Sequence, residues 1–135
     1  MSDAAVEYGV PASHAGLLAQ PLVGVFTTIG SDGLPQSTAL WYLLDGGELK
    51  ISVRTDRQKH KNLLADPRAT LIIFDPDTTL RTLEIRGEVE IRPDPDKAES
   101  ERFAPTYGHA PSVWDPEGST RAVLVLRPRR IVTLG

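Results

Sequence analysis

The chain has 135 residues, 40% of them hydrophobic and 24% charged, with a formal net charge of −3 at pH 7. That length fits one domain, 1–135, able to bury a core without staples. The lack of cysteine excludes disulfides and thiolate metal sites, and mild acidity argues against a nucleic-acid binder.

Residues 1–11 are small and polar and read as a flexible N-terminal arm. Ser13 is placed to cap a short helix, HAGLLAQ, which Pro21 stops. VGVFTTIG (23–30) is a β-branched strand, SDG (31–33) a hairpin loop, and LPQSTALWYLL (34–44) the return strand. DGG (45–47) is the next tight turn. ELKISVR (48–54) alternates strictly, with Leu49, Ile51 and Val53 on one face and Lys50, Ser52 and Arg54 on the other. Three antiparallel strands in succession make a meander.

Asp56 then stands where it can cap a helix from Arg57 to Ala65, which Pro67 ends. ATLIIFD (69–75) is a continuous apolar strand, expected to be covered on both faces. LRTLEIRGEVEIR (80–92) is a long alternating strand in which Gly87 marks a bulge or bend. Residues 93–108 read as a second helix, APSVWDPEGS as a loop, and RAVLVL (121–126) and RIVTL (130–134) as the last two strands. Six or seven strands with one inserted helix predict a mainly β fold, a small closed or split barrel. Its uncovered faces predict a homodimer.

The histidines His14, His60 and His109 are scattered, so no metal site is expected. No apolar run approaches the ~20 residues of a membrane span, and no basic-then-apolar leader opens the chain. A cytoplasmic protein without a membrane partner is the expectation. The segment RTDRQKHKNL (54–63) is the anomaly, with four of the fifteen Lys/Arg residues in ten positions. Arg57 and Lys59 fall in a helix's first turn, where the macrodipole disfavours cations by roughly 0.3–1 kcal/mol each. A bound phosphate or carboxylate would reverse that sign; a solvated basic face is the plain alternative. Nucleophile, zinc and phosphate-loop signatures are absent, so any chemistry would come from a bound cofactor.

The K-x-x-N-L of Lys59, Asn62 and Leu63 followed by DPRA, together with the run from Asp75 to Gly87 (D-P-D…R-x-L-E-I-R-G), resembles the pyridoxamine 5'-phosphate oxidase-like flavoprotein superfamily. Within it, the chain resembles the branch using the deazaflavin coenzyme F420. The resemblance implies an FMN-binding split β-barrel, a homodimer with cofactor sites at the subunit interface, and a small-molecule substrate. By position it places Arg57, Lys59 and Asn62 around the cofactor phosphate, with Gln58 also among the cofactor-binding residues. It lays Gln36, Ser37, Thr38 and Ala39 along the ring, with Ser52, Val53 and Arg54 in the same groove and Arg81 supplied from the other subunit. Ala39 replaces a common proline, and Thr78, Thr79, Leu80 and Thr82 replace an aromatic-rich loop on the substrate side.

The implied activity is hydride transfer from reduced F420 to an unsaturated acceptor. FMN on the same barrel and a non-catalytic carrier of cofactor or haem are the alternatives. The excess of cations, four from Arg54 to Lys61 with Arg68 beyond, favours the deazaflavin with its carboxylate tail over a single phosphate. No catalytic residue is assigned; Tyr42 and bulk water are the two candidate proton sources.

Overall fold

Alternation along the strands sets the architecture. In this computed structural model, which describes residues 3–135, seven strands form one antiparallel sheet. They are β1 (Val23–Ile29), β2 (Pro35–Trp41), β3 (Leu43–Asp45), β4 (Glu48–Arg54), β5 (Arg68–Phe74), β6 (Thr82–Pro93) and β7 (Arg121–Leu134). Their spatial order is β2-β1-β5-β6-β7-β4-β3. β2 and β3 thus lie at opposite edges, yet only Tyr42 separates them in sequence. The two Cα steps from Trp41 to Leu43 span at most about 7 Å. The sheet must therefore curl until its edges meet, which makes a split barrel.

This corrects two expectations. The return strand 34–44 breaks at Tyr42, and β4 pairs with β7 rather than continuing a meander from β2. The cause is burial of Tyr42, whose side chain is 1% exposed and turns inward at the corner. The Gly46–Gly47 loop that follows joins Asp45 to Glu48, with both φ values positive at 61° and 78°, as a tight two-residue hairpin requires.

Leu49, Ile51, Leu71, Ile73, Leu83, Ile85 and Leu124 are sealed in the barrel. Each such side chain contributes about 1.5–3 kcal/mol of transfer free energy. β5 buries only one face: Ala69, Leu71 and Ile73 point in, while Thr70 and Ile72 are half-buried and Phe74 is exposed. Among the described residues that outer face is only partly covered.

The helices are α1 (Ala4–Tyr8), α2 (Ala15–Ala19), α3 (Gln58–Ala65), α4 (Ala98–Glu101) and α5 (Ala104–Tyr107). The expected arm is, over its described residues, a packed element. Asp3 caps α1, Ala5 and Val10 are buried, and the Tyr8 hydroxyl donates to the Leu126 carbonyl at 2.6 Å. Residues 1 and 2 lie outside the described residues. Ser13 does not cap α2; it bonds His14 Nδ1 at 2.8 Å instead. The second helix divides into α4 and α5, where Pro105 cannot continue the earlier turn. Asp94 caps α4 through the amides of Glu99 and Ser100. The loop after α5 contains a 3-10 turn, Pro111–Trp114.

The last two strands are one, β7. A register shift lies at Arg86/Gly87, where Gly87 faces Pro128 and Arg129 is the extra residue of the bulge. The proline falls where the ladder is interrupted, so its missing N–H costs no ladder bond.

Candidate functional site

Four elements converge on one cleft of about 250 Å³. β4 ends with Ser52 and Arg54, Arg57 stands at the N-cap of α3, and Lys59 lies in its first turn. β7 starts at Arg121, and β2 ends with Leu40 and Trp41; Pro111 and Trp114 of the 3-10 turn close the wall. Pairing explains part of this: Arg54 and Arg121 stand opposite each other on one rung. Strand alternation sends both to the same side, away from the core residues Val53 and Ala122.

Neutralisation separates these cations. The Arg54 fork closes on Asp56, Nε at 3.0 Å and Nη2 at 2.6 Å. Asp56 is therefore spent on Arg54 and does not cap α3, whose first turn has no side-chain cap. Arg121 holds Asp115 at 2.8 and 2.7 Å, and this contact keeps the Asp115 carboxyl at about 2. Of the fifteen Lys/Arg residues, eleven have an acidic partner among the described residues; Arg57, Lys59, Lys61 and Arg130 have none. Three of those four fall within five positions at the start of α3, two of them on the cleft. Burial, then the charges of Arg57 and Arg121, pull the Lys59 pKa below the ordinary lysine value. The molecule thus keeps two uncompensated positive charges on one cleft, Lys59 half-buried and Arg57 exposed at its mouth, with open helix amides beside them. An anion is what such a place receives.

A larger hollow of about 450 Å³ lies on the outer face, around Thr27, Ile29 and Thr70. Its arginines, Arg68, Arg86 and Arg129, are each paired with an acid, so it lacks the unbalanced charge of the cleft.

The other sequence-chosen residues divide. Gln36, Gln58 and Asn62 line a third pocket of about 380 Å³, beside the β1–β2 turn. A hydrogen-bond chain joins them: Gln58 Nε2 donates to Asn62 Oδ1 at 2.8 Å and Asn62 Nδ2 to Thr28 Oγ1 at 3.0 Å. Thr28 then donates to Gln36 Oε1 at 3.3 Å, and Gln36 Nε2 to Thr38 Oγ1 at 3.0 Å. Asn62 is 4% exposed and pins α3 to β1. Ser37 points to the opposite face of β2, bonded to Thr27, and Ala39 shares that side. Val53 is in the core. Arg81 lies on the β5–β6 loop, held by Asp75 and the Ser13 carbonyl.

Sequence reasoning missed Arg121, Trp41, Trp114 and Pro111. Trp41 stacks on Tyr107 at 4.5 Å and on His109 at 5.1 Å, and His109 meets Trp114 edge-on at 4.6 Å. The available signal was the strand alternation that carries Arg121 to the Arg54 side. Cation number does not favour the longer anion: Arg54 and Arg68 are neutralised by Asp56 and Asp66, and Lys61 is not on the cleft wall.

Tyr42 is no proton donor to the cleft. Its hydroxyl donates to the Leu17 carbonyl at 2.6 Å beneath α2, and burial raises its pKa well above the ordinary tyrosine value. Tyr42→Phe is expected to lower stability by about 1 kcal/mol, read by urea denaturation, and to leave ligand affinity at the cleft unchanged.

The pyridoxamine 5'-phosphate oxidase family model matches residues 10–135. Among solved structures, an F420 reductase is 37% identical, with 91% of this chain and 98% of that chain covered at a TM-score of 0.81. A heme binding protein from Mycobacterium smegmatis is 25% identical over 100% of this chain and 55% of that chain, at a TM-score of 0.68. A conserved hypothetical protein from Mycobacterium tuberculosis shares the fold, with 24% identity, 99% and 84% coverage and a TM-score of 0.72.

Proposed function

The chain belongs to the pyridoxamine 5'-phosphate oxidase family, and from that premise we propose that it is an F420-dependent oxidoreductase acting on a small unsaturated acceptor. The family and the F420 reductase relative support a flavin- or deazaflavin-type oxidoreductase. The observation that carries the finer reading is the 37% identity with an F420 reductase; the unpaired cations Arg57 and Lys59 on the cleft wall supply the anion site that such a cofactor needs. Their donors suit a phosphate: a compact ammonium and a planar guanidinium beside open helix amides.

When bound, the reduced coenzyme supplies the hydride for an electron-poor acceptor such as an enone, a quinone-like ring or a tetrapyrrole. This chain's residues then bind and orient. Arg57 and Lys59 hold the anionic end, Ser52 and Arg54 line its path, and the Gln58–Asn62–Thr28–Gln36 chain fixes α3 against β1 and β2. Orientation is the main contribution available without a positioned acid or base. We place the protein in the cytoplasm as a homodimer, a second copy covering the outer face of β5 and bringing its Arg81 loop to the site. None of the described helices is long and apolar enough to cross a membrane.

FMN is the second reading, because two uncompensated charges match one phosphate dianion as well as they match a phosphodiester with a carboxylate. The two are separable by fluorescence. Both tryptophans of the chain, Trp41 and Trp114, line the cleft, so a bound cofactor is expected to quench intrinsic emission strongly. Titration is expected to give a lower Kd for F420 than for FMN; the reverse order would replace the coenzyme assignment. Reduced F420 left unoxidised with a panel of enones and quinones would indicate a carrier.

A further inference from the structure

Trp114 is the largest exposed side chain on the cleft, 70% accessible. Burial of an indole is worth more than that of almost any other side chain, so its exposure needs a reason. Looseness of the loop is not one, because the turn carrying it is clamped at both ends by one residue. Arg121 Nη2 donates to the Pro111 carbonyl at 3.0 Å, and the same guanidinium holds Asp115 with two bonds. Lys97 adds a second cation to Asp115 at 3.1 Å, and Ser100 Oγ accepts the Ser112 amide at 3.1 Å and donates to Ser112 Oγ at 2.8 Å. Arg121 itself is 8% exposed and bonded to Ser52 Oγ at 3.2 Å. The indole is also steered by its neighbour: His109, stacked on Trp41, meets it at 80°, and among the described residues no ring is stacked on Trp114. A rigid support under an unstacked aromatic face, in the cleft that holds two unpaired cations, is a preorganised platform.

We propose that Trp114 is a stacking residue, and that the cleft selects anions carrying a planar conjugated ring close to the charged group. The proposal rests on the cleft being the anion site; Arg57 and Lys59 supply the charge and Trp114 the ring recognition. Arg121 acts through the turn, as a positioning residue for Trp114.

The test compares inorganic phosphate, phenyl phosphate and cyclohexyl phosphate, the last two alike in charge and size but not in π character. Affinities are read by ligand-detected NMR titration of the full chain. Wild type is expected to prefer phenyl over cyclohexyl phosphate by about tenfold. In Trp114→Leu that preference falls to about one, with phosphate affinity unchanged; Trp114→Phe restores most of it. An equal preference in wild type, or one that persists in Trp114→Leu, overturns the platform while leaving the anion site standing. Failure of all three ligands to bind wild type overturns both. Sedimentation of Trp114→Leu completes the test: an unchanged oligomeric state supports the proposal, and dissociation of an assembly would assign Trp114 to a subunit contact instead.

Discussion

Lys59→Ala is expected to weaken cofactor binding by roughly ten- to a hundredfold, the range for a lost charge-assisted hydrogen bond to an anion. The melting temperature should stay unchanged or rise slightly. The two outcomes share one cause. Lys59 has no carboxylate partner, is half-buried, and faces Arg57 and Arg121, so its charged form is disfavoured in the folded chain. For a lysine whose folded pKa is depressed, the native-state penalty is present in full at neutral pH. It disappears only as pH rises past the unfolded value. Removing the ammonium removes that penalty and, with it, half of the uncompensated charge that holds the ligand. A bound anion pushes the lysine pKa back up, so binding takes up protons on the alkaline side. Wild-type affinity is therefore expected to fall as pH climbs toward the ordinary lysine range, and Lys59→Met to lose that slope. Fluorescence titration between neutral and alkaline pH reads both. An unchanged Kd for Lys59→Ala at physiological salt would remove the phosphate from this cleft.

The legible and the illegible parts of this molecule differ in range. Alternation in ELKISVR put Leu49, Ile51 and Val53 on the core face without knowledge of any partner strand, because side-chain direction is a local property. Gly87 stood out for the same reason, as a break in a two-residue rhythm. Arg57 and Lys59 were conspicuous as cations at a helix start. What escaped depended on pairing over long separations. Arg121 joins the site only because β7 lies beside β4, sixty-seven residues from Arg54 in sequence and directly opposite it in space. The aromatic wall depends on the segment from Tyr107 to Trp114 folding back over the end of β2. The break at Tyr42 was hidden because a strand that changes partner keeps an extended, apolar sequence throughout. Asp56 and Asp94 show how close local rules come: both precede helices, but Asp94 caps its helix and Asp56 turns to Arg54. A capping residue next to an unpaired arginine has a stronger competing partner than two amides.

Gly87→Ala is expected to cost about 3–5 kcal/mol, at the exceptional end for a single substitution and a large share of a total of ~5–15 kcal/mol. Torsion does not require glycine here; the reason is space. A Cβ at Gly87 would sit 1.9 Å from the Arg127 carbonyl oxygen, 2.9 Å from its carbon and 3.3 Å from Pro128 Cα, all backbone. Backbone within a ladder cannot step aside without breaking the ladder. Gly24→Ala is the control, since its closest contact is the Leu71 Cδ1 at 2.7 Å, a side-chain methyl rather than backbone, and about 1–2 kcal/mol is expected for repacking it. Urea midpoints of the two variants provide the comparison, and a loss below about 1 kcal/mol for Gly87→Ala would sink the argument. The bulge matters to the site as well as to the core. Before it, even-numbered residues of β7, Ala122, Leu124 and Leu126, face inward; after it, the odd-numbered Ile131 packs on the core. The extra residue, Arg129, makes that change of parity possible. Without it, a strand that buries Ile131 would also turn Arg121 inward, since a one-residue slip reverses every side chain. The close approach at Gly87 therefore lets one strand serve the core at one end and the cleft at the other. A Gly87→Ala chain that still folds is accordingly expected to bind the cofactor more weakly, although Gly87 lines no part of the cleft.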